Sequence, residues 1–365
     1  MLDKPTSFAY SPSIAQQAVS ATEPFPIVRR HMKVLVSGYN HFGFITAIAN
    51  GFQQLERCRC DTFMHPYAPV RKMMKGAWFK RVWHGLGTKW INQHLLEKVK
   101  AGRYDFVLCI EGGCVFRETI ATIRTTAPVA LWCLDSMRHL NMDPELLRAF
   151  TKVFFFEPTD YEIFPGGYYL PIGFDNGTYH RLDGQEVEHD IIWVGSAHTD
   201  RLPKLDKIAR FAEKSGYDLG VYGYFYSEKR RKKELQEDYP ALFLAIRKNA
   251  KVSPDEANLL YNSARIAVNL HFHDPLSQGI NPRTFEVPGS GCFLLTDHKV
   301  EIEKVLDFKS EIATFKNMDE FAARAGYYLT HEEECRTMAE RAHHRVHANH
   351  TFAARCREMV EIVAG

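Results

Sequence analysis

No disulfide framework is visible in this chain. Its eight cysteines include no Cys-x-x-Cys pair, and Cys109, Cys114, Cys133 and Cys292 lie in or beside apolar runs, where a free thiol behaves as a small buried hydrophobe. Such usage favours a reducing cytoplasm. No stretch of about 18 consecutive apolar residues occurs, and the N-terminus, Met1-Leu-Asp-Lys-Pro-Thr6, has no apolar core, so neither a membrane span nor a signal peptide is expected. A strong charge of either sign is also missing: the net charge is +2, too small to argue for nucleic acid. Absent too are G-x-G-x-x-G, the Walker A loop, the G-x-S-x-G elbow and H-E-x-x-H, which leaves a dinucleotide fingerprint, a P-loop, an esterase-type nucleophile and a zincin unsupported.

What remains is an α/β chain. Its 365 residues fit two domains of roughly 150 residues each, and 45% hydrophobic with 25% charged residues is a globular composition. Residues 1–30, rich in Ser, Pro, Ala and Gln without a sustained period, read as a loose arm. Lys33-Val-Leu-Val-Ser-Gly38 reads as a first parallel strand, followed by a turn carrying His41 and a helix with Ile45, Ile48, Ala49, Phe52 and Leu55 on its apolar positions. The rhythm continues through Tyr104–Gly113, Val129–Ser136 and Lys152–Glu157. Ligands of open α/β sheets bind beyond the carboxyl ends of the strands, so Glu111, Asp135, Ser136 and Glu157 are expected to face one crevice with His41. Asp143-Pro-Glu predicts a helix from about Pro144 to Phe150. The first lobe then covers 31–175, a polar linker 176–189.

The second lobe, 190–345, opens with the strand Asp190-Ile-Ile-Trp-Val-Gly-Ser196. Its turn, Gly195 to Arg201, offers backbone N–H groups and a guanidinium at a helix N-terminus, a natural seat for phosphate. Ser253-Pro-Asp-Glu256 is a capping box that starts a helix over Pro254–Ser263. The strand Arg265–His273 delivers His271 and His273 to the crevice. Two helices are expected after Asp297, the second opened by Thr330-His-Glu-Glu333, with a last one, 346–365, beyond. His343, His344, His347 and His350 fit a solvated helical face better than a metal site, and a metal at His271, His273 and Asp274 is not expected.

One segment is strongly biased. No acidic residue occurs between His65 and Leu96, while Arg71, Lys72, Lys75, Lys80, Arg81 and Lys89 interleave with Trp78, Phe79, Trp83 and Trp90. Residues 70–92 therefore suit a peripheral contact with an anionic membrane surface, an anionic acceptor, or packing on the chain's own sheet with lysines reaching to water.

The stretch Gln278–Asp297 organises the rest. Arg283 offers a planar fork of donors for phosphate oxygens, and Glu286, one helical turn on, a carboxylate for the two hydroxyls of a ribose; Gly289 and Gly291 close the short helix before Cys-Phe-Leu-Leu re-enters a sheet. The alternative is a surface helix with an ordinary Arg and Glu pair. No Asp-x-Asp pair exists, so a diphosphate would be neutralised by Arg201, Arg283 and helix N-termini and not through a metal.

From Asn269-Leu-His through Asn281-Pro-Arg-Thr-Phe-Glu286 to Gly291-Cys-Phe-Leu-Leu-Thr-Asp297, with Pro171-Ile-Gly-Phe-Asp175 and Val194-Gly-Ser196, the chain resembles the spore maturation protein CgeB family of glycosyltransferases, themselves similar to the GT-B superfamily. The resemblance covers residues 170–360. It implies two facing Rossmann-like domains, with the nucleotide sugar in the second, the acceptor in the first, and a last helix crossing back. Carried over, Glu286 holds the ribose, Arg283 and Arg201 the diphosphate, and Gly195 and Ser196 the phosphates through their backbone. Lys251 and Val252 lie at the base, and His271, Asn281 and Thr284 complete the donor site.

Where many retaining relatives carry a first Glu, this chain has Gln278, and a neutral amide cannot do the same electrostatic work. An inverting enzyme needs a base in the first lobe, with His41 the first choice and Asp135 the second; in a retaining one the donor phosphate takes the proton. The expectation is a metal-independent transferase using a UDP-, GDP- or dTDP-sugar, with no other cofactor and no nucleic acid, acting on a glycan, lipid-linked or protein acceptor at a cell surface. Its rivals are a nucleotide-sugar epimerase or hydrolase of the same fold and a non-catalytic sugar-nucleotide-binding scaffold.

Overall fold

The computed structural model describes residues 31–66, 77–196, 198–272 and 276–364, with the backbone alone for 77–84. The arm expected over 1–30 lies outside the described residues, as do His273 and Asp274.

Two six-stranded sheets, parallel throughout, form the two lobes. The first runs in the order β2-β1-β3-β4-β5-β6, from β1 (Met32–Gly38), β2 (Cys58–Met64), β3 (Phe106–Ile110), β4 (Val129–Cys133), β5 (Lys152–Phe155) and β6 (Tyr168–Tyr169). The second runs β12-β11-β10-β7-β8-β9, from β7 (His189–Ser196), β8 (Leu219–Tyr224), β9 (Ile246–Asn249), β10 (Ala264–Asn269), β11 (Phe293–Asp297) and β12 (Ala313–Phe315). β3 and β4 are buried along their whole length, as continuous apolar runs covered by helices on both faces must be. Parallel pairing gathers the carboxyl ends of each sheet on one edge, and those edges carry the site.

The first sheet is covered by α1 (Phe44–Gln53), α2 (Ala77–Gly102), α3 (Arg117–Arg124), α4 (Met137–Leu140) and α5 (Pro144–Leu147). The second has α6 (Leu202–Ser215), α7 (Lys229–Asp238), α8 (Pro240–Ala245), α9 (Pro254–Asn262), α10 (Arg283–Gly289), α11 (Val300–Glu303), α12 (Met318–Thr330) and α13 (Glu332–Asn349). The last helix, α14 (Phe352–Ala364), returns to α1 as expected. Its thiol Cys356 sits 3.6 Å from the Ile48 carbonyl. A Cβ on Gly51 would lie 2.8 Å from the Phe352 carbonyl carbon, so the two backbones pass as close as glycine allows. The outgoing and returning segments are themselves paired: Phe174 N–H donates to His350 O (3.2 Å) and Phe352 N–H to Phe174 O (2.9 Å).

Several local expectations change. Ser253 caps α9 through the Glu256 N–H at 3.2 Å, as its capping box predicts. Asp143 likewise caps α5, but that helix stops at Leu147 and not near Phe150. Thr330 does not open a helix. Its hydroxyl bonds back to Gly326 O (3.1 Å) and Tyr327 O (2.8 Å), so it ends α12, and α13 begins two residues later. β9 and β12 are edge strands of four and three residues, too short to show a period.

Of the basic aromatic stretch, residues 70–76 lie outside the described residues, and the rest belongs to α2. Within it Trp90 is partly exposed and stacks on His94 at 3.9 Å between centroids. Among the described residues no helix is long and apolar enough to cross a membrane.

Candidate functional site

The site is built at the carboxyl ends of β7, β10 and β11 in the second lobe. α10 ends in a Schellman closure: Gly291, at φ +80°, lets its N–H reach Pro288 O (2.9 Å) while Cys292 N–H reaches Val287 O (3.2 Å). That turn feeds the chain into β11 and fixes α10 over the sheet. Arg283, the first residue of α10, donates from Nε to Val194 O at 2.7 Å, which pins the guanidinium to the end of β7 beside Gly195 and Ser196. It also bonds the hydroxyl of Tyr261, while Glu286 is bonded by the hydroxyl of Tyr179. Both tyrosines are buried.

Burial pushes the Glu286 carboxyl up, and the Arg283 charge and the Tyr179 hydrogen bond pull it back only in part. Arg201 is only 6% exposed; it reaches Ser196 O at 3.3 Å, and among the described residues its Nε has no partner. Burial, aided by the neighbouring Arg283 charge, brings its pKa down to about 10. The two guanidinium groups are anchored to carbonyls two residues apart at the end of β7 and act on each other's charge, with Asp200 and Asp297 offsetting part of it, an arrangement that suits an anion. His198 stands on the same turn. Burial, Arg201 and Arg283 all lower its pKa, so it faces the pair as a neutral imidazole.

Three residues expected at the donor site make hydrogen bonds within the lobe. His271 is 3% exposed; its ring Nδ1 donates to Asp297 Oδ1 at 2.7 Å, and Nε2 lies 3.4 Å from Thr284 Oγ1. Thr284 is itself fully buried. Asn281 exchanges two amide hydrogen bonds with Asn269, at 3.0 and 2.9 Å. Each ties α10 or its lead-in to the ends of β10 and β11. Lys251 is exposed and Val252 half-buried on the connection from β9 to α9, on the same edge. Gly195 approaches β8 closely: a Cβ on Gly223 opposite would sit 1.9 Å from Gly195 O.

In the first lobe, the expected convergence holds for three residues and fails for two. His41 is exposed on the turn after β1, and Asp135 is exposed after β4, where it accepts from Ser136 N–H (2.8 Å) and pairs with His139 (3.3 Å). Glu111 lies between them. It follows β3 with φ +60° and Gly112 at φ +55°, a left-handed pair that turns a half-buried carboxylate toward the crevice. Burial raises its pKa, His41 lowers it and Asp135 raises it, so the three groups share one field. Ser136 instead is buried; it caps α4 and donates to Asp160 (3.2 Å). Glu157 is wholly buried and accepts hydrogen bonds from the second lobe, because a carboxylate at the seam captures the amides of the chain crossing above it.

Two aromatic contacts escaped the sequence reading. Phe272, 45% exposed just past β10, has His198 of its own lobe 5.4 Å away and His139 of the first lobe 6.2 Å away. One ring thereby spans from the Asp135–His139 pair to the Arg201–Arg283 pair. The histidines of α13 also differ from a solvated face. His343 Nδ1 bonds Pro288 O (3.0 Å) and His347 Nε2 bonds Gly289 O (2.9 Å), tying the carboxyl end of α10, whereas His344 is exposed.

Two facing parallel sheets of six strands, with a last helix that crosses back, are the GT-B fold of glycosyltransferases. Residues 205–361 match the family model described as Glycosyl transferase-like. The chain is similar to Spore protein CgeB of Bacillus subtilis (strain 168), at 21% identity over 66% of this chain and 76% of that protein. Among solved structures it resembles sucrose-phosphate synthase from Thermosynechococcus elongatus, with TM-score 0.63, 10% identity, and 91% and 98% of the two chains covered. It also resembles Anabaena Alr3699/HepE in complex with UDP, with TM-score 0.61, 12% identity, and 91% and 100% covered. The chain thus has the GT-B fold, is similar to Spore protein CgeB, and matches a glycosyltransferase-like model over residues 205–361.

Proposed function

We propose that this chain transfers a sugar from a nucleoside diphosphate donor to an acceptor bound against the first lobe. The observation that carries the reading is the pair Arg201 and Arg283, held together at the end of β7 with an unmatched guanidinium donor and Glu286 one turn away. In that seat the diphosphate lies between the two guanidinium groups and the backbone of Gly195 and Ser196, and the ribose hydroxyls meet Glu286. The binding of UDP by the Anabaena relative supports a nucleotide of this kind. Leaving-group stabilisation is the main catalytic contribution, since positive charge is already in place where negative charge develops on the departing phosphate. These two arginines supply that charge without a metal.

Across the cleft, Glu111 joins His41 and Asp135 as the group that takes the acceptor proton. Its burial raises its pKa and so its basicity. The acceptor is a glycan, a lipid-linked sugar or a protein. Incubation with labelled UDP-, GDP- and dTDP-sugars tests the reading. One donor is expected to release nucleoside diphosphate, and Arg283→Ala to abolish the release; conversion of the sugar without release would favour the epimerase instead.

A further inference from the structure

The carboxylate of Glu157 follows β5 in the first lobe, yet most of what it binds belongs to the second. Oε1 accepts from Gln278 N–H (2.9 Å) and from Thr159 N–H (3.2 Å) and Oγ1 (3.0 Å); Oε2 accepts from Ser277 Oγ (2.6 Å) and Gly279 N–H (2.9 Å). The side chain is 0% exposed, so these five donors replace all of its water. From the other side, Lys299 Nζ donates to Ser277 O (2.9 Å) and Gly279 O (3.0 Å). Residues 277–279 are therefore held through the Ser277 hydroxyl and the Gln278 and Gly279 N–H groups from one lobe, and through the Ser277 and Gly279 carbonyls from the other. Gly279 is required for that approach: a Cβ would stand 2.6 Å from the Phe156 ring and 3.0 Å from Glu157 Oε2.

We propose that Glu157 is a positioning residue for the donor site, a first-lobe carboxylate that sets the backbone of residues 277–279 along the crevice wall. Directly after that loop come buried Ile280, Asn281 with its amide pair to Asn269, and Arg283 at the head of α10. Burial alone would raise the Glu157 pKa, but the hydrogen bonds from Ser277, Gln278, Gly279 and Thr159 outweigh it, so the group is held ionised and acceptor-only. A buried carboxylate ringed by donors is specific to one loop geometry in a way that apolar packing is not. The sugar-binding half of the second lobe is thereby shaped by the first lobe before any acceptor arrives.

The inference rests on the donor reading above, and the test separates the two. In Glu157→Gln one acceptor oxygen becomes a donor facing other donors, and Ser277→Ala removes one hydrogen bond without touching the first lobe. Hydrogen exchange of the full chain, read on peptides spanning 276–282, is expected to show the Gln278 and Gly279 amides at least tenfold faster in Glu157→Gln and less so in Ser277→Ala. Peptides of β3 and β4 keep their wild-type rates. With UDP and UDP-glucose as probes, Glu157→Gln is expected to keep UDP binding within about threefold of wild type while the preference for UDP-glucose over UDP falls at least tenfold. Wild-type exchange at 278 and 279 in both variants would overturn the positioning of the loop. Faster exchange with an unchanged preference would overturn its bearing on the donor. If the wild type binds neither probe, the donor claim falls with the reading beneath it, and the exchange arm still decides whether Glu157 sets the loop.

Discussion

Asp297 grips His271 at two points: its carboxylate accepts the ring Nδ1–H at 2.7 Å and the backbone N–H at 3.0 Å. The proton on Nδ1 leaves the Nε2 lone pair toward Thr284 of α10, so β10, β11 and α10 meet at one imidazole. Burial lowers the His271 pKa against the pull of Asp297, and the ring stays neutral. Asp297→Ala orphans both donors and is expected to destabilise the fold by about 1–3 kcal/mol per orphaned group. A urea titration reads the loss as a lower midpoint at unchanged slope.

Acid should weaken the fold through two other imidazoles. Burial lowers His65 to about 4, and burial with the Arg355 charge lowers His350 to about 3, against an ordinary 6.5. Below pH 6.5 the unfolded chain takes up protons that these folded rings refuse, so their contribution is lost as pH falls toward 4. Asp160 acts the other way: burial raises it to about 6, so its folded form gains a proton first as pH falls from 6 to 4. His198 and His271 are lowered in the same sense as these two rings, and Glu111 and Glu286 are raised in the same sense as Asp160; with the histidine loss the larger, the urea midpoint is expected to drop between pH 6.5 and 4. His65→Asn should make that slope shallower; an identical slope would contradict the assignment.

At the crossing of α1 and α14 the prediction is steric. Gly51→Ala places a methyl 2.8 Å from the Phe352 backbone and is expected to destabilise by about 1–3 kcal/mol. Gly85→Ala is the control: on α2 none of the described residues lies within 4 Å of the added Cβ, and helix propensity predicts a gain of up to about 1 kcal/mol. Thermal melts of the two variants should move in opposite directions.

Much of the donor lobe was legible because its signals are local. A strand ending in Gly195-Ser196, an Arg and a Glu one turn apart, and the left-handed Gly291 are each read within a few residues. The carboxyl-edge rule brought Glu111, His41 and Asp135 together correctly, yet it could not tell Glu157 and Ser136 from them, since Glu157 is buried by the chain of the other lobe and Ser136 by its cap on α4 and its bond to Asp160. His271, Thr284 and Asn281 were read as ligand contacts, while the hydrogen bonds they make inside the lobe were not visible in the sequence. Their partners, Asp297 and Asn269, lie 26 and 12 residues away from His271 and Asn281. Phe272 gave no pattern at all, because its two histidine neighbours come from different sheets.

Arginine geometry at the diphosphate seat is separable from charge. Arg283→Lys keeps the charge but loses the planar fork and the Nε bond to Val194 O, and is expected to weaken nucleotide binding by about tenfold or more. Added EDTA should leave both binding and turnover unchanged if the guanidinium groups neutralise the diphosphate.

Calorimetry with UDP, GDP, dTDP and CMP, run on the wild type and Glu286→Ala, tests the nucleotide seat most directly. One nucleoside diphosphate should bind the wild type, and Glu286→Ala should weaken it by about tenfold or more as the ribose loses its carboxylate. Binding by none of the four, or binding indifferent to Glu286, would contradict the donor site at α10.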